Sequence, residues 1–191
     1  MNEPTIAFAR PSDWEAWLAE HHADSTGILL KLAKKGSGIA SVTYAQALDV
    51  ALCFGWIDAR KHGLDADWWL QRFTRRTARS RWSKINRTRA EELLEQGLVR
   101  EPGRLAIEAA RADGRWADAY AGQRTAEVPQ ELQDALALNE LARAFFGTLD
   151  RVNRYAIVHR IGAPGTPETR ARRVARYIAM LEAGERIHEP R

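Results

Sequence analysis

Two patterns of hydrophobic and polar positions divide this chain. In the first half, short apolar runs separate helical segments, whereas apolar residues recur at helical spacing from residue 83 onward. The run GILLKLAKKGSG predicts a strand and a turn, and WIDARKHGLDADWWLQRFTR predicts two strands joined near His62 and Gly63. Residues 6–9 predict an edge strand. The pattern indicates an α+β fold, with a small antiparallel sheet and helices in the front half, followed by a helical C-terminal half.

Capping residues mark where several helices begin. Ser12 with Glu15, and Thr43 with Gln46, have the spacing of a capping box, in which each side chain satisfies a free backbone donor. Ser83 can cap the helix KINRTRAEELLEQG in a similar way. These signals predict helices that begin directly after residues 12, 43 and 83.

The segment AYAGQRTAEVP, residues 119–129, has the composition of a linker. It separates a mixed α/β region, residues 1–118, from a helical region, residues 129–185. A chain of 191 residues can also pack both regions as one unit.

Composition excludes several classes of protein. The single cysteine, Cys53, rules out an intramolecular disulfide and a cysteine-based zinc site, and the five histidines lack the spacing of metal ligands. We expect neither a metal nor another cofactor. No apolar segment approaches the roughly 20 residues of a membrane span, and the N-terminus lacks the pattern of a secretory signal. The sequence therefore predicts a cytoplasmic protein with no transmembrane segment.

Positive charge is concentrated in the segment RFTRRTARSRWSKINR, residues 72–87. Eight Arg or Lys residues and no acid lie between Asp67 and Glu91, although the net charge of the whole chain is only +4. Loop arginines beside a helix N-terminus can bind an oxyanion, because guanidinium groups and free backbone donors meet there. The segment predicts a site for an anionic small molecule or a phosphate-bearing ligand, with Trp82 stacking on a ring or sugar. The alternative is a solvated loop whose arginines pair with acids elsewhere.

Asp58 is the candidate for catalysis. It follows Trp56 by two residues in a predicted strand, so both side chains point to the same face of the sheet. A carboxylate beside an indole ring and near cations can act as a general base. Alternatively, Asp58 anchors a structural ion pair with Arg72 or Arg76. Cys53 lies among apolar residues at the end of a predicted helix, which favours a buried, inert thiol.

Six sequence motifs carry a family resemblance. ALCFGWIDA, RFTRR, SRWSKIN and DGRW occur in this order, followed by ALALNELARAFFGTLD and ETRARRVARYIAMLEAG. Together they resemble the YdeI/OmpD-associated, or bacteriocin-protection, family over residues 8–184. The resemblance implies a role in protection against bacteriocins or cationic antimicrobial peptides and in the stress response, with no established reaction. The motif residues coincide with the candidate ligand site, which comprises Trp56, Asp58, Arg72, Arg76, Ser80, Trp82, Ser83, Lys84 and Asn86.

Three functions are open at this point. The preferred one is a non-catalytic protein that binds an anionic ligand in a pocket lined by Trp and Arg side chains. The second is an enzyme that acts on an anionic substrate with Asp58 as general base. The third is a protein–protein interaction module in which Trp56 and Trp82 form an exposed hot spot. A nucleic acid is disfavoured, since no recognition helix, zinc finger or RNA-binding aromatic motif accompanies the cations.

Overall fold

The structure, a computed structural model, describes residues 3–189. Its contacts divide the chain into two compact units, Met1–Ala119 and Tyr120–Arg191. Each unit has a hydrophobic core of its own.

The first unit combines four helices with one four-stranded sheet. Its elements in chain order are β1 (Thr5–Ala7), α1 (Pro11–His21), β2 (Gly27–Ala33), α2 (Tyr44–Cys53), β3 (Trp56–Gly63), β4 (Trp68–Arg75), α3 (Lys84–Glu95) and α4 (Glu101–Ala112). The strands lie in the order β1-β2-β4-β3, so β1 and β3 form the two edges. The predicted α+β class is confirmed.

One strand pairing differs from the predicted antiparallel sheet. β2 pairs with β4, and β4 with β3, in antiparallel fashion, but β1 pairs with β2 in parallel. The reason is that α1 carries the chain back between β1 and β2, as parallel neighbours require. At the other edge, a β-bulge shifts the register of β3 between Asp58 and Lys61.

The sheet buries one of its faces. Along β2, Ile28, Leu30 and Leu32 are inaccessible to solvent, whereas the alternate residues Leu29 and Lys31 are half-buried. This alternation is the expected result of a period of two residues in a strand with one face on the core.

Of the two predicted capping boxes, one is present in the structure and one is not. The capping box before α2 is confirmed, because Thr43 Oγ1 accepts from Gln46 N and Gln46 Oε1 accepts from Thr43 N. The predicted box at Ser12 is wrong, because α1 already begins at Pro11 and no side chain caps it. The fixed φ of proline suits the first helical position, so the helix starts two residues earlier than the Ser12 motif predicts.

The second unit is helical, as predicted. It consists of α5 (Gln130–Leu138), α6 (Glu140–Thr148), α7 (Arg151–Ile161) and α8 (Pro167–Glu182). Its core includes Leu132, Ile157, Ile161 and Leu181, all without solvent exposure. Asn139 and Asp150 accept hydrogen bonds from backbone N–H groups at the starts of α6 and α7, as N-caps do.

Asn153, on α7, fixes the end of the described chain to this core. The side chain is 1% exposed. Its Oδ1 accepts from the backbone N–H groups of Ile187 and His188, and its Nδ2 donates to the His188 carbonyl oxygen. A buried amide with these partners has its hydrogen-bonding groups satisfied. These bonds hold residues 187–188 against α7.

Within residues 3–189, none of the helices combines the length and the apolar composition that crossing a bilayer would require.

Candidate functional site

Trp56 and Trp82 lie inside the core of the first unit. Trp56 is 0% exposed and its ring meets Trp17 edge-on at 6.0 Å between centroids. Trp82 is 1% exposed and packs against the ring of Trp116, with 4.7 Å between the ring centroids. Neither indole presents a face to solvent, so the two rings form neither the exposed hot spot nor the ligand-stacking surface that the sequence suggested.

Arg76 is a buried cation of the cationic segment, residues 72–87. The side chain extends over Trp82, with the guanidinium carbon 3.5 Å from the ring centroid, and its Nη1 donates to the Arg81 carbonyl oxygen at 3.1 Å. A desolvated guanidinium on the face of an indole ring gains a cation–π interaction of about 2 kcal/mol. Part of the positive charge is therefore stabilised by an aromatic ring of the protein itself.

Arg72 and Arg89 have carboxylate partners inside the unit. Arg72, on β4, makes a bidentate pair with Glu3, with Nε 2.7 Å from Oε2. This hydrogen bond is the main cause that lowers the pKa of Glu3 and raises that of Arg72. Arg89 forks onto Asp49 at 2.7 and 2.8 Å. The charge of these two arginines is already balanced, as the alternative of internal ion pairs predicted.

Three further candidate residues shape the local chain. Ser80 Oγ accepts from Thr77 N in the turn before α3. Ser83 is the N-cap of α3, as predicted, and accepts from the backbone N–H of Asn86 at 3.1 Å. That bond satisfies one of the free donors that an anion would otherwise meet at this helix start.

Lys84 is exposed at the first position of α3. Among the residues that the structure describes, it makes no ion pair. It therefore remains a surface cation beside the Ser83 cap.

Asp58 shares a face of the sheet with Trp56, as the spacing predicts. Asp58 lies opposite Phe73 and Trp56 opposite Arg75 in the β3–β4 pairing. The Asp58 carboxylate accepts from the Tyr44 hydroxyl, with Oδ2 2.8 Å away, so its hydrogen-bond partner is a phenol rather than an arginine. A role of Asp58 as general base stays a prediction.

Cys53 ends α2 and is 8% exposed. Burial, with a smaller contribution from the nearby Asp49 charge, raises the pKa of its thiol to about 11. A thiol that stays protonated is a poor nucleophile, in agreement with the inert role expected for it.

A cavity of about 590 Å³ opens beside the turn between α2 and β3. Arg75 and Arg76 line one part of it, at the end of β4, together with His22 from the end of α1. The guanidinium of Arg75 is exposed and donates through Nη1 to the Ala23 carbonyl oxygen at 2.9 Å. This cavity is an open cleft that two arginines of the cationic segment line.

The apolar part of the cavity lining belongs mainly to α4. Phe54, Pro102, Leu105 and Ala106 belong to it, and Leu105 is 55% exposed. Glu101 is a carboxylate in this lining, and Arg104 pairs with it at 3.1 Å. The lining therefore combines cationic donors with apolar side chains.

Gly55 brings α4 against the α2–β3 turn. It has φ of 71°, and a Cβ there would lie 2.8 Å from the Pro102 carbonyl oxygen. Only glycine adopts this conformation without strain and leaves room for the helix backbone. The sequence showed the Gly55 turn, but it carried no signal that His22 and α4 would complete a cavity there.

The chain is thus an α+β protein with a cationic and apolar cavity in its first unit, followed by a helical second unit. Residues 6–106 match the family model described as a domain of unknown function (DUF8412), and the chain belongs to this family. Every residue that lines the cavity lies within this match.

The second unit has a family relationship of its own. Residues 125–184 give a partial match to the family model described as bacteriocin-protection, YdeI or OmpD-associated. The family predicted from the motifs is confirmed by this match, which covers the later part of the predicted range 8–184. No curated protein and no solved structure matches the chain.

Proposed function

We propose that this protein takes part in protection against bacteriocins by binding an anionic, amphipathic small molecule in the cavity of its first unit. The YdeI/OmpD-associated match supports the protective role. The proposal also places the protein in the cytoplasm, as part of a stress response. It is a binding function and requires no catalytic group.

The observation that carries the binding proposal is the position of Arg75. Arg75 lines the cavity and is exposed, and its guanidinium uses one of five N–H donors in the bond to the Ala23 carbonyl oxygen. The remaining donors suit a carboxylate or phosphate, which an arginine can bind through two parallel hydrogen bonds. The head group of the ligand therefore lies beside Arg75.

The apolar part of the lining indicates that the ligand also has an apolar body. A body that covers Leu105 and Phe54 removes exposed apolar surface from water, at about 25 cal/mol per Å². The cavity volume of about 590 Å³ lies within the range of small-molecule sites. An aliphatic acid or an alkyl phosphate has both features, whereas inorganic phosphate lacks the apolar body.

A matched series of ligands tests this site. Octanoate, octyl phosphate, octanol and octylamine share one apolar chain and differ in the head group. Thermal unfolding followed by tryptophan fluorescence reports stabilisation by a ligand that binds the folded state, worth about 2.7 kcal/mol at a concentration one hundred times Kd. We expect the two anions to raise Tm and the amine to have no effect.

Two arginine variants locate the binding. Arg75→Gln should weaken octanoate binding by roughly tenfold or more, because a charged hydrogen-bond donor is worth about 1.5–3 kcal/mol. Arg79→Gln is the control, since Arg79 is an exposed arginine of the same segment that does not line the cavity. Equal effects of the two variants, or equal responses to octanoate and octylamine, would reject the site.

The protective role needs a test in cells. Bacteria that express the wild-type protein should survive bacteriocin exposure better than cells that express Arg75→Gln at equal level. Equal survival together with lost octanoate binding would separate the cavity from protection and leave the binding result intact.

A further inference from the structure

A second cavity, of about 430 Å³, lies within the helical unit. It is lined by one side of α7 and by the segment that precedes α5, which contributes Gln123 and Val128. It shares no residue with the cavity of the first unit. The arginines of this cavity come from a part of the sequence outside the central cationic segment.

One face of α7 supplies the charge of this cavity. Arg151, Arg154, Tyr155 and Val158 are spaced by three, one and three residues, which places them on the same side of a helix, and all four line the space. Two like charges three residues apart on a helix repel each other. An anion between them would turn this repulsion into two attractive contacts.

The charge of Arg151 is not balanced locally. Among the described residues 3–189, its side chain makes no hydrogen bond and no ion pair, and it is exposed at the first position of α7. A cation at this position also opposes the helix dipole. The adjacent acid, Asp150, accepts from the backbone N–H and side-chain amide of Asn153 as the cap of the helix. None of the described residues that line the cavity is an acid.

Arg154 is held in place by its neighbours. Its Nη2 donates to the Gly147 carbonyl oxygen, and its guanidinium lies 5.8 Å from the centre of the Phe146 ring. An arginine with a fixed orientation loses less conformational entropy when it binds a ligand. The pair therefore combines a positioned arginine with an adaptable one.

The remaining walls suit a planar apolar body. Tyr155 and the buried residues Leu149 and Val158 belong to the lining. A ring of the ligand can stack on Tyr155 while its anionic group reaches the arginines. We propose that this cavity binds a small aromatic anion, a phosphate monoester or a carboxylate, through Arg151 and Arg154. The site is independent of the function proposed for the first unit.

Phenyl phosphate is the direct probe of this site, with benzoate, inorganic phosphate and phenol as comparisons. Isothermal titration of the full chain should show saturable binding of phenyl phosphate, weaker binding of inorganic phosphate, and none of phenol. In NMR spectra, the Nε–H resonances of Arg151 and Arg154 should shift on addition of phenyl phosphate.

Four variants decide between this site and other cationic surfaces. Arg151→Gln and Arg154→Gln should each weaken phenyl phosphate binding by roughly tenfold or more. Arg160→Gln is the matched control, because Arg160 is an exposed arginine of the same helix that lies outside the cavity. Arg75→Gln should leave phenyl phosphate binding at this site unchanged.

Each outcome has a defined meaning. Loss with Arg151→Gln and retention with Arg160→Gln would support the site. The absence of saturable binding, an equal loss in Arg160→Gln, or a loss only in Arg75→Gln would overturn it. Circular dichroism of Arg154→Gln checks that the helix persists, and Arg151→Gln provides a variant at a side chain that makes no hydrogen bond or ion pair within residues 3–189.

Discussion

The approach of α4 to the end of α2 gives the sharpest test of how the first cavity is built. Gly103 lies inside α4, where an alanine normally stabilises a helix by about 0.5–1 kcal/mol relative to glycine. A Cβ at this position, however, would lie 2.3 Å from the Cys53 carbonyl oxygen and 2.8 Å from Val99 Cγ1. Both distances are far inside the roughly 3.5–4.0 Å that is optimal for carbon contacts. Gly103→Ala should therefore destabilise the first unit.

The magnitude follows from two opposing effects. Overpacking of a close contact costs about 1–3 kcal/mol, and the upper value applies here because the nearest atoms are backbone. After the gain in helix propensity, the free energy of unfolding should fall by about 2 kcal/mol. Since α4 carries Pro102, Leu105 and Ala106, its displacement should also weaken octanoate binding.

Tryptophan fluorescence makes this measurement specific to one unit. All seven tryptophans lie before residue 120 and hence in the first unit. Urea titration followed by fluorescence should show a lower midpoint for Gly103→Ala. Gly147→Ala in α6 is the control, because beyond its own helix no heavy atom of the described residues lies within 4 Å of its added Cβ. Far-UV circular dichroism should show that this variant is as stable as wild type or more so; stabilisation of both variants alike would refute the packing argument.

Three other predictions concern single side chains. Asn153→Ala should destabilise the second unit by about 2–3 kcal/mol and speed hydrogen exchange of the His188 amide, because it removes several buried hydrogen bonds; unchanged exchange would contradict it. The pKa of Glu3 is lowered by Arg72, so its contribution to stability is present at neutral pH and is lost as the pH falls through the folded pKa, below 4.5. The urea midpoint of Glu3→Gln should fall less at acid pH than that of wild type. An equal fall in both proteins would argue against the Glu3–Arg72 ion pair. Burial raises the pKa of Cys53 to about 11 from 9.0, so its contribution to stability is lost between pH 9 and 11, where the unfolded thiol ionises first. Iodoacetamide should alkylate Cys53 only when the unit opens, and rapid modification of the folded protein would count against burial.

Local sequence signals predicted the elements well. Thr43 and Ser83 cap α2 and α3 as expected, because a cap depends on residues only three positions apart. The parallel position of β1 was not predictable, because it depends on which strand α1 brings the chain back to. Strand partners are a property of the tertiary structure rather than of the local pattern.

The partners of the cationic segment show where prediction from sequence stopped. Glu3 lies 69 residues before Arg72, and Asp49 lies 40 residues before Arg89. No spacing rule connects residues so far apart, so the count of charges could not show that these arginines are paired. The cavity of the first unit could not be predicted for the same reason, since only the tertiary structure brings His22 and Leu105 close to Arg75.

The edges of the four-stranded sheet have a consequence for the behaviour of the protein at high concentration. β1 is only three residues long, and β3 is interrupted by its bulge and carries the exposed side chains Arg60, Lys61 and His62. A strand from another molecule would meet few free backbone groups at the β1 edge. At the β3 edge it would meet cationic side chains and a backbone made irregular by the bulge. The sheet is therefore protected from the edge-to-edge polymerisation that leads to fibrils.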